Sequence, residues 1–305
     1  VVAQVYIPGI YQGPYKSEGY TLLDSTMTNF TSNLPILILS TYGYNIVPDM
    51  SEKVPAMITT FEVPKITGRV SPLIKPQFHG RAGIEGRGQS SWDLCPNKRP
   101  YNVELRGDNG DDFKSSLLGM PAESDWALIN IYNDKSFMND FLAHDLFEKM
   151  GHYAVRRRYV EVFLNGTRGD GSADLSWKVG TNDYIGIYLL IEKIKICPNR
   201  VNISKPETGL PGDPITGGYI FKKDKASPND VVFYTMSGQD IRFHDPNPSK
   251  LTSIQQQWLQ DYLNEFESVL YGSNWRDPIN GYAKYIDVDS FVDYHWIVEF
   301  TKQID

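Results

Sequence analysis

Residues 83–108, GIEGRGQSSWDLCPNKRPYNVELRGD, join a turn of small residues to a strand, and their reading organises the rest of the chain. Tyr101, Val103 and Leu105 alternate with Asn102, Glu104 and Arg106, the period of a strand with one buried and one wet face. Upstream, Gly86 and Gly88 flank Arg87, and Gln89, Ser90 and Ser91 follow. Glycines let the backbone come close to an anion, amides and hydroxyls supply donors, and Lys98 and Arg99 add fixed positive charge at the strand's root. The stretch is a candidate phosphate cradle. It also fits a β-hairpin with a small polar loop, since it holds neither Gly-Lys-Ser/Thr nor Gly-x-Gly-x-x-Gly, and short glycine motifs match by chance.

Working outward, the run from Leu34 to Leu39, the stretch Val54 to Val63 and Phe78 to Glu85 have strand character, so the first third is expected to be a β-rich layer. Leu117 to Pro121 reads as a loop that delivers a buried strand, Asp125 to Ile129. Ser136 is expected to cap a helix whose Phe137, Met138, Phe141, Leu142, Phe147 and Met150 form a core stripe, closed by Gly151. Tyr159 to Leu164 is a strand ending at Asn165-Gly166, a strong hairpin signal, and its partner runs from Tyr184 to Glu192. Between them lies a polar insertion at 167–183, with Arg168-Gly-Asp170 and with Asp170, Ser172 and Asp174 at calcium-like spacing. It lacks the later bidentate Glu of a calcium loop and reads as a solvated tip. Gly217 to Asp224 is a further strand. Ile254, Trp258, Tyr262, Leu263, Phe266 and Leu270 mark an amphipathic helix ended by Gly272, and Val288 to Gln303 a second, capped by Asp287 or Asp289. The expectation is an α+β chain: an N-terminal arm (1–32), a mainly antiparallel β-rich lobe with an inserted helix (33–245), and the start of a helical lobe (246–305).

Composition narrows the function. The chain has 305 residues, 41% hydrophobic, enough for a substantial core. A net charge of −7 argues against a nucleic-acid binder, which needs a basic face, while leaving room for a small anion in a local basic pocket. Two cysteines, Cys95 and Cys197, exclude a disulfide scaffold or zinc ribbon and leave pairing open. No apolar run reaches the length of a membrane span, and the first residues lack the basic start of a signal peptide. His79, His144, His152, His244 and His295 show no ligand spacing.

The ordered set Arg87-Gly-Gln-Ser-Ser, Lys98-Arg-Pro-Tyr, Leu118-Gly-Met-Pro, Asp125-Trp-Ala-Leu, Asp134-Lys-Ser, Arg158-Tyr-Val-Glu-Val-Phe-Leu-Asn-Gly, Tyr184-x-Gly-x-Tyr-x-x-x-Glu-Lys-Ile, Gly217-Gly-Tyr-Ile and Thr301-Lys-Gln-Ile-Asp resembles the spore-coat protein H (CotH) kinase-like family, over roughly residues 33–305. The resemblance implies an atypical protein-kinase-like fold, a β-rich nucleotide lobe against a helical lobe. It also implies transfer of the ATP γ-phosphate, with Mg²⁺ or Mn²⁺, to Ser or Thr of secreted, cell-surface or spore-coat proteins. Lys98 then matches the phosphate-binding, catalytic lysine, with Arg87, Gly88, Ser90 and Ser91 beside it. Glu192 is placed at the adenine edge or in a pair with Lys98, and Asp305 orients the acceptor hydroxyl or holds the metal. Asn102 departs from the family's basic residue, Asn139-Asp140 from its Arg-Asn, and the 167–183 tip is longer than the family's. The family's Trp-Asp-x-Asp segment belongs after Asp305, so this chain alone is expected to lack the second metal carboxylate and not to transfer phosphate. The competing expectation is a non-catalytic surface, coat or adhesion protein that uses a kinase-like fold to bind partners.

Overall fold

The computed structural model describes residues 2–7, 11–17, 19–48, 52–167, 176, 178–206, 215–225 and 230–302. The strands are β1 (Val2–Ile7), β2 (Tyr11–Ser17), β3 (Ile36–Asn45), β4 (Val54–Phe61), β5 (Phe78–Gly86), β6 (Tyr101–Arg106), β7 (Asp125–Ile129), β8 (Arg157–Thr167), β9 (Tyr184–Glu192), β10 (Ile220–Lys222), β11 (Val232–Tyr234) and β12 (Asp240–Asp245). The helices are α1 (Ser90–Asp93), α2 (Asn139–Lys149), α3 (Ser253–Leu270) and α4 (Val288–Thr301). The chain divides into two compact units, Val1–Phe137 with Arg156–Lys193, and Met138–Val155 with Ile194–Asp305.

The first unit holds a separate β1–β2 pair and a closed barrel in the order β3-β4-β5-β6-β7-β9-β8. Its pairs are antiparallel apart from β3 and β8, which run parallel from Ile36 opposite Glu161 to Ser40 opposite Asn165. The α+β class and the mainly antiparallel pairing are as expected, and the closure is new. One parallel pair between distant stretches of chain removes both sheet edges, and no local period reports such a pair.

Alternation fills the barrel. Tyr101, Val103 and Leu105 face inward with Ile84, Trp126, Leu128, Val160, Val162, Tyr188 and Leu190, joined by Leu117, Leu118 and Met120 from the β6–β7 loop. Each such side chain contributes roughly 1.5–3 kcal/mol by leaving water. Outside β3 and β8 a second apolar cluster forms from Met27, Ile36, Ile38, Phe61, Val70, Phe163 and Val179, with Phe30 edge-on to Phe163 at 5.0 Å.

The β8–β9 pair forms as the sequence suggests, without the tight turn at Asn165-Gly166. β8 runs on to Thr167, and Gly166 (φ +140°) lies so close to β3 that a Cβ would sit 1.9 Å from Thr41 Oγ1. That glycine serves close strand approach instead of a turn. Arg168-Gly-Asp170, Ser172 and Asp174 lie outside the described residues.

In the second unit α2 begins at Asn139 after Met138, and Ser136 is not its cap. Ser136 instead donates its N–H and hydroxyl to Asp134 Oδ1, at 2.9 and 2.6 Å, and Phe137 at φ +61° separates that turn from the helix. The expected core stripe is also not a core, since no residue of α2 is buried. Phe147 stacks on His152 at 4.5 Å and meets Tyr294 of α4 edge-on, while His152 Nε2 lies 2.7 Å from Asp293 Oδ2. Gly151 (φ +94°) closes α2 as expected.

β10, β12 and β11 form a three-stranded sheet whose Phe243 packs with Leu251 and Leu259, flanked by Trp258. Thr252 and Gln255 cap α3 reciprocally, and Asp287 caps α4 by accepting from Ser290 N. Ile254, read as part of the apolar face of α3, is exposed, and the buried positions are Gln255, Leu259 and Glu267. Both cysteines are free thiols, Cys95 buried and Cys197 half-buried. Among the described residues no helix is long and apolar enough to cross a membrane.

Candidate functional site

The glycine turn begins where β5 meets the ring of Trp92. A Cβ on Gly86 would lie 2.4 Å from that ring, so only glycine lets Trp92 pack against Tyr101 inside the barrel end. Gly88 takes φ +68°, and a side chain there would collide with Ser91 Oγ at 2.2 Å. Arg87 N–H donates to Pro100 O at 3.1 Å and closes the loop, leaving Gly88 and Ser90 exposed and Ser91 half-buried. The Arg99 guanidinium lies 4.3 Å over the Trp92 ring.

Lys98 sits just before β6, its N–H bonded to Cys95 O at 3.0 Å and its carbonyl accepting from Asn130 Nδ2 at 2.7 Å. Its ammonium lies 4.5 Å from the Phe137 ring centre and 5.3 Å from that of Tyr188. Among the described residues it makes no ion pair. Burial, helped by the charge of Lys135, pulls its pKa down to about 8. In the glycine turn itself, Arg87 Nη1 is buried with no hydrogen-bond partner among the described residues, and burial lowers that guanidinium's pKa as well.

Glu192 is set apart from Lys98, though not from the glycine turn. Gly86 pairs with Tyr101, Tyr101 with Leu128 and Leu128 with Leu190. Glu192 pairs with Trp126, whose other partner Val103 pairs with Ile84, two residues along from the Gly86 level. Its side chain is fully buried and accepts from Arg156 N at 3.0 Å and Nη1 at 2.9 Å. Along β9, Glu192 is six residues beyond Gly186, the position nearest Lys98, or roughly 20 Å at strand rise. The suggested Glu192–Lys98 pair is therefore not formed, and the carboxylate is engaged by Arg156.

A charged ladder on the outer face of β5 and β6 is a feature the sequence reading missed. Lys53 Nζ lies 2.6 Å from Glu104 and 3.9 Å from Glu85, Arg106 Nε reaches Glu104 at 3.1 Å, and Asn102 bonds Glu85 at 3.0 Å. Burial pushes the Glu104 carboxyl up, but Lys53 and Arg106 outweigh it and hold the pKa below the usual range. Lys193 joins this field. Its burial lowers the pKa, Asp125 and Glu85 oppose that, and Lys53 and Arg87 reinforce it. The outward alternation of Asn102, Glu104 and Arg106 signalled a polar face, but Lys53, 51 residues from Glu104, had no sequence signal.

No group of three His, Cys, Asp or Glu side chains among the described residues is arranged to hold a metal ion. Asp305, the expected metal residue, lies outside the described residues.

A family model described as CotH kinase protein matches residues 84–305, from the last turn of β5 through the whole cradle and beyond α4. No curated protein matches the chain. With the match covering well over half of its residues, the chain belongs to the CotH kinase protein family.

Proposed function

We propose that this protein is an ATP-dependent kinase that passes the γ-phosphate to Ser or Thr hydroxyls of secreted or coat proteins, and that Lys98 and Arg87 hold the nucleotide phosphates. The observation that carries the reading is the Lys98 ammonium, held on two aromatic faces beside a glycine turn and without an ion pair among the described residues. Desolvation makes such a cation costly until an anion arrives, and a phosphate restores its full charge. Gly88, Ser90 and Ser91 offer backbone and hydroxyl donors on the exposed side of the same turn. Family membership supports nucleotide and divalent-metal use in general.

Phosphoryl transfer asks a protein mainly for positioning and charge neutralisation. The acceptor oxygen forms a bond to Pγ, the bond from Pγ to the ADP oxygen breaks, and the hydroxyl proton passes to a base. Lys98 and Arg87 steady the phosphate oxygens, and Asp305 orients the hydroxyl. A divalent ion, which Asp305 would hold, would supply further neutralisation of phosphate charge. The kinase-like fold belongs to the same proposal, supported by a β-rich unit and a separate unit carrying α2, α3 and α4.

Thermal unfolding of the full-length protein with ATP and Mg²⁺, run beside transfer of γ-labelled phosphate to a Ser/Thr-rich acceptor, tests the reading. Ligand at a hundred times Kd stabilises by about 2.7 kcal/mol, a shift of a few degrees. No shift and no transfer would leave a partner-binding coat protein as the function.

A further inference from the structure

The segment Tyr184-x-Gly186-x-Tyr188 has no part in the phosphate contacts above, yet two of its residues touch Lys98. Gly186 adopts φ +111°, and a Cβ there would stand 3.3 Å from Lys98 Cε and 3.7 Å from Nζ. That conformation strains any L side chain, and the space an Ala methyl would take is next to the lysine stem. Tyr188 presents its ring to the ammonium and anchors the next residue by donating its hydroxyl to Arg99 O at 2.9 Å. The third wall is Phe137, a bulky residue held at φ +61°, where non-glycine residues are rare. Its carbonyl accepts from the Tyr159 hydroxyl, and its N–H bonds Asp134 O at 3.2 Å. Strained residues of this kind persist where their surroundings over-determine them, and they cluster at ligand sites.

We propose that Gly186, Tyr188 and Phe137 form a socket that positions the half-buried Lys98 ammonium, without an ion pair among the described residues, for a phosphate dianion. This rests on the assignment of Lys98 to the nucleotide. The charged group bearing on the Lys98 ammonium is Lys135, whose own ammonium lies 4.7 Å over Tyr132, while the neighbouring Arg99 is turned onto Trp92. Lys135 is a cation, so the local field favours the neutral amine until an anion binds. Gly186 and Phe137 are positioning residues. They act on phosphate only through Lys98.

The test is acylation of Lys98 by a small N-hydroxysuccinimide ester across pH 6–11, read by peptide mass spectrometry, on the full chain and on Phe137→Leu and Gly186→Ala. ATP with Mg²⁺ is titrated calorimetrically into each protein. The expected result is a wild-type midpoint near pH 8, a midpoint moved toward 10.5 in both variants, and ATP affinity weakened about tenfold. Phe137→Leu keeps an apolar side chain at a half-buried position, so it carries the test if Gly186→Ala does not fold. A wild-type midpoint near 10.5, or one that Phe137→Leu does not move, overturns the socket. A moved midpoint with unchanged ATP affinity upholds the socket and overturns instead the assignment of Lys98 to the nucleotide.

Discussion

The two ends of β9 treat charge in opposite ways. At the end where β9 begins, the Lys98 ammonium rests on aromatic rings and makes no ion pair among the described residues. At the end where β9 finishes, the buried Glu192 carboxylate is fully engaged by Arg156. A buried charge with its partner in place belongs to the fold, and removing the partner is what costs. A half-buried cation lacking one keeps capacity for a ligand. Glu192 and Lys98 were grouped by sequence as one site, and six residues of β9 separate Glu192 from Gly186, the position against Lys98.

The largest expected effect is at the paired end. Glu192→Ala should cost about 3 kcal/mol, because Arg156 loses its carboxylate and its backbone N–H loses an acceptor. Urea unfolding measures it, and ATP affinity of the folded protein should not change. A loss of ATP affinity without a loss of stability would reverse the roles of the two ends.

Next comes Lys98→Ala, which should weaken ATP binding by a factor of about ten to a hundred, as for a charge-assisted contact worth roughly 1.5–3 kcal/mol. Unfolding should show no comparable loss of stability. Calorimetric titration that returns wild-type affinity would end the assignment of Lys98.

A pH experiment sharpens the same contrast. The folded protein holds Lys98 near 8 while the unfolded chain keeps it near 10.5, so between those values the unfolded state binds more protons. The contribution of this group to stability therefore rises with pH across that window, from its lowest value below about 8. Subtracting the stability profile of Lys98→Ala from that of the wild type isolates it. A flat difference from pH 7.5 to 10 would mean the amine is as well solvated as any other.

The smallest effect belongs to the outer ladder. Lys53→Met removes the 2.6 Å pair with Glu104, but Arg106 stays on that carboxylate, so the loss should be under about 1 kcal/mol and shrink with added salt. A larger, salt-insensitive loss would give the ladder the structural weight assigned here to Glu192.

Much of this was legible one element at a time. β6 alternates as its sequence does, β7 follows the Leu117–Pro121 loop, Gly151 closes α2, and Asp287 caps α4. The reading failed for two reasons. Ser136 lost the cap to a competing local turn, in which Asp134 two residues back holds it, while Gly166 meets Thr41 of the distant β3 and does not make a turn. Ile254 faces solvent although its spacing fits the apolar stripe.

By itself, the sequence determined the α+β class, the family, and the residues of the glycine turn, because periodicity and turn chemistry act over a few neighbouring residues. The tertiary structure alone decided that the barrel closes through β3 and β8, that Lys98 meets Phe137, Gly186 and Tyr188, and that Glu192 belongs to Arg156. Those contacts join residues far apart in the chain. Their energy depends on burial and on which charges lie opposite, and both exist only once the strands have paired.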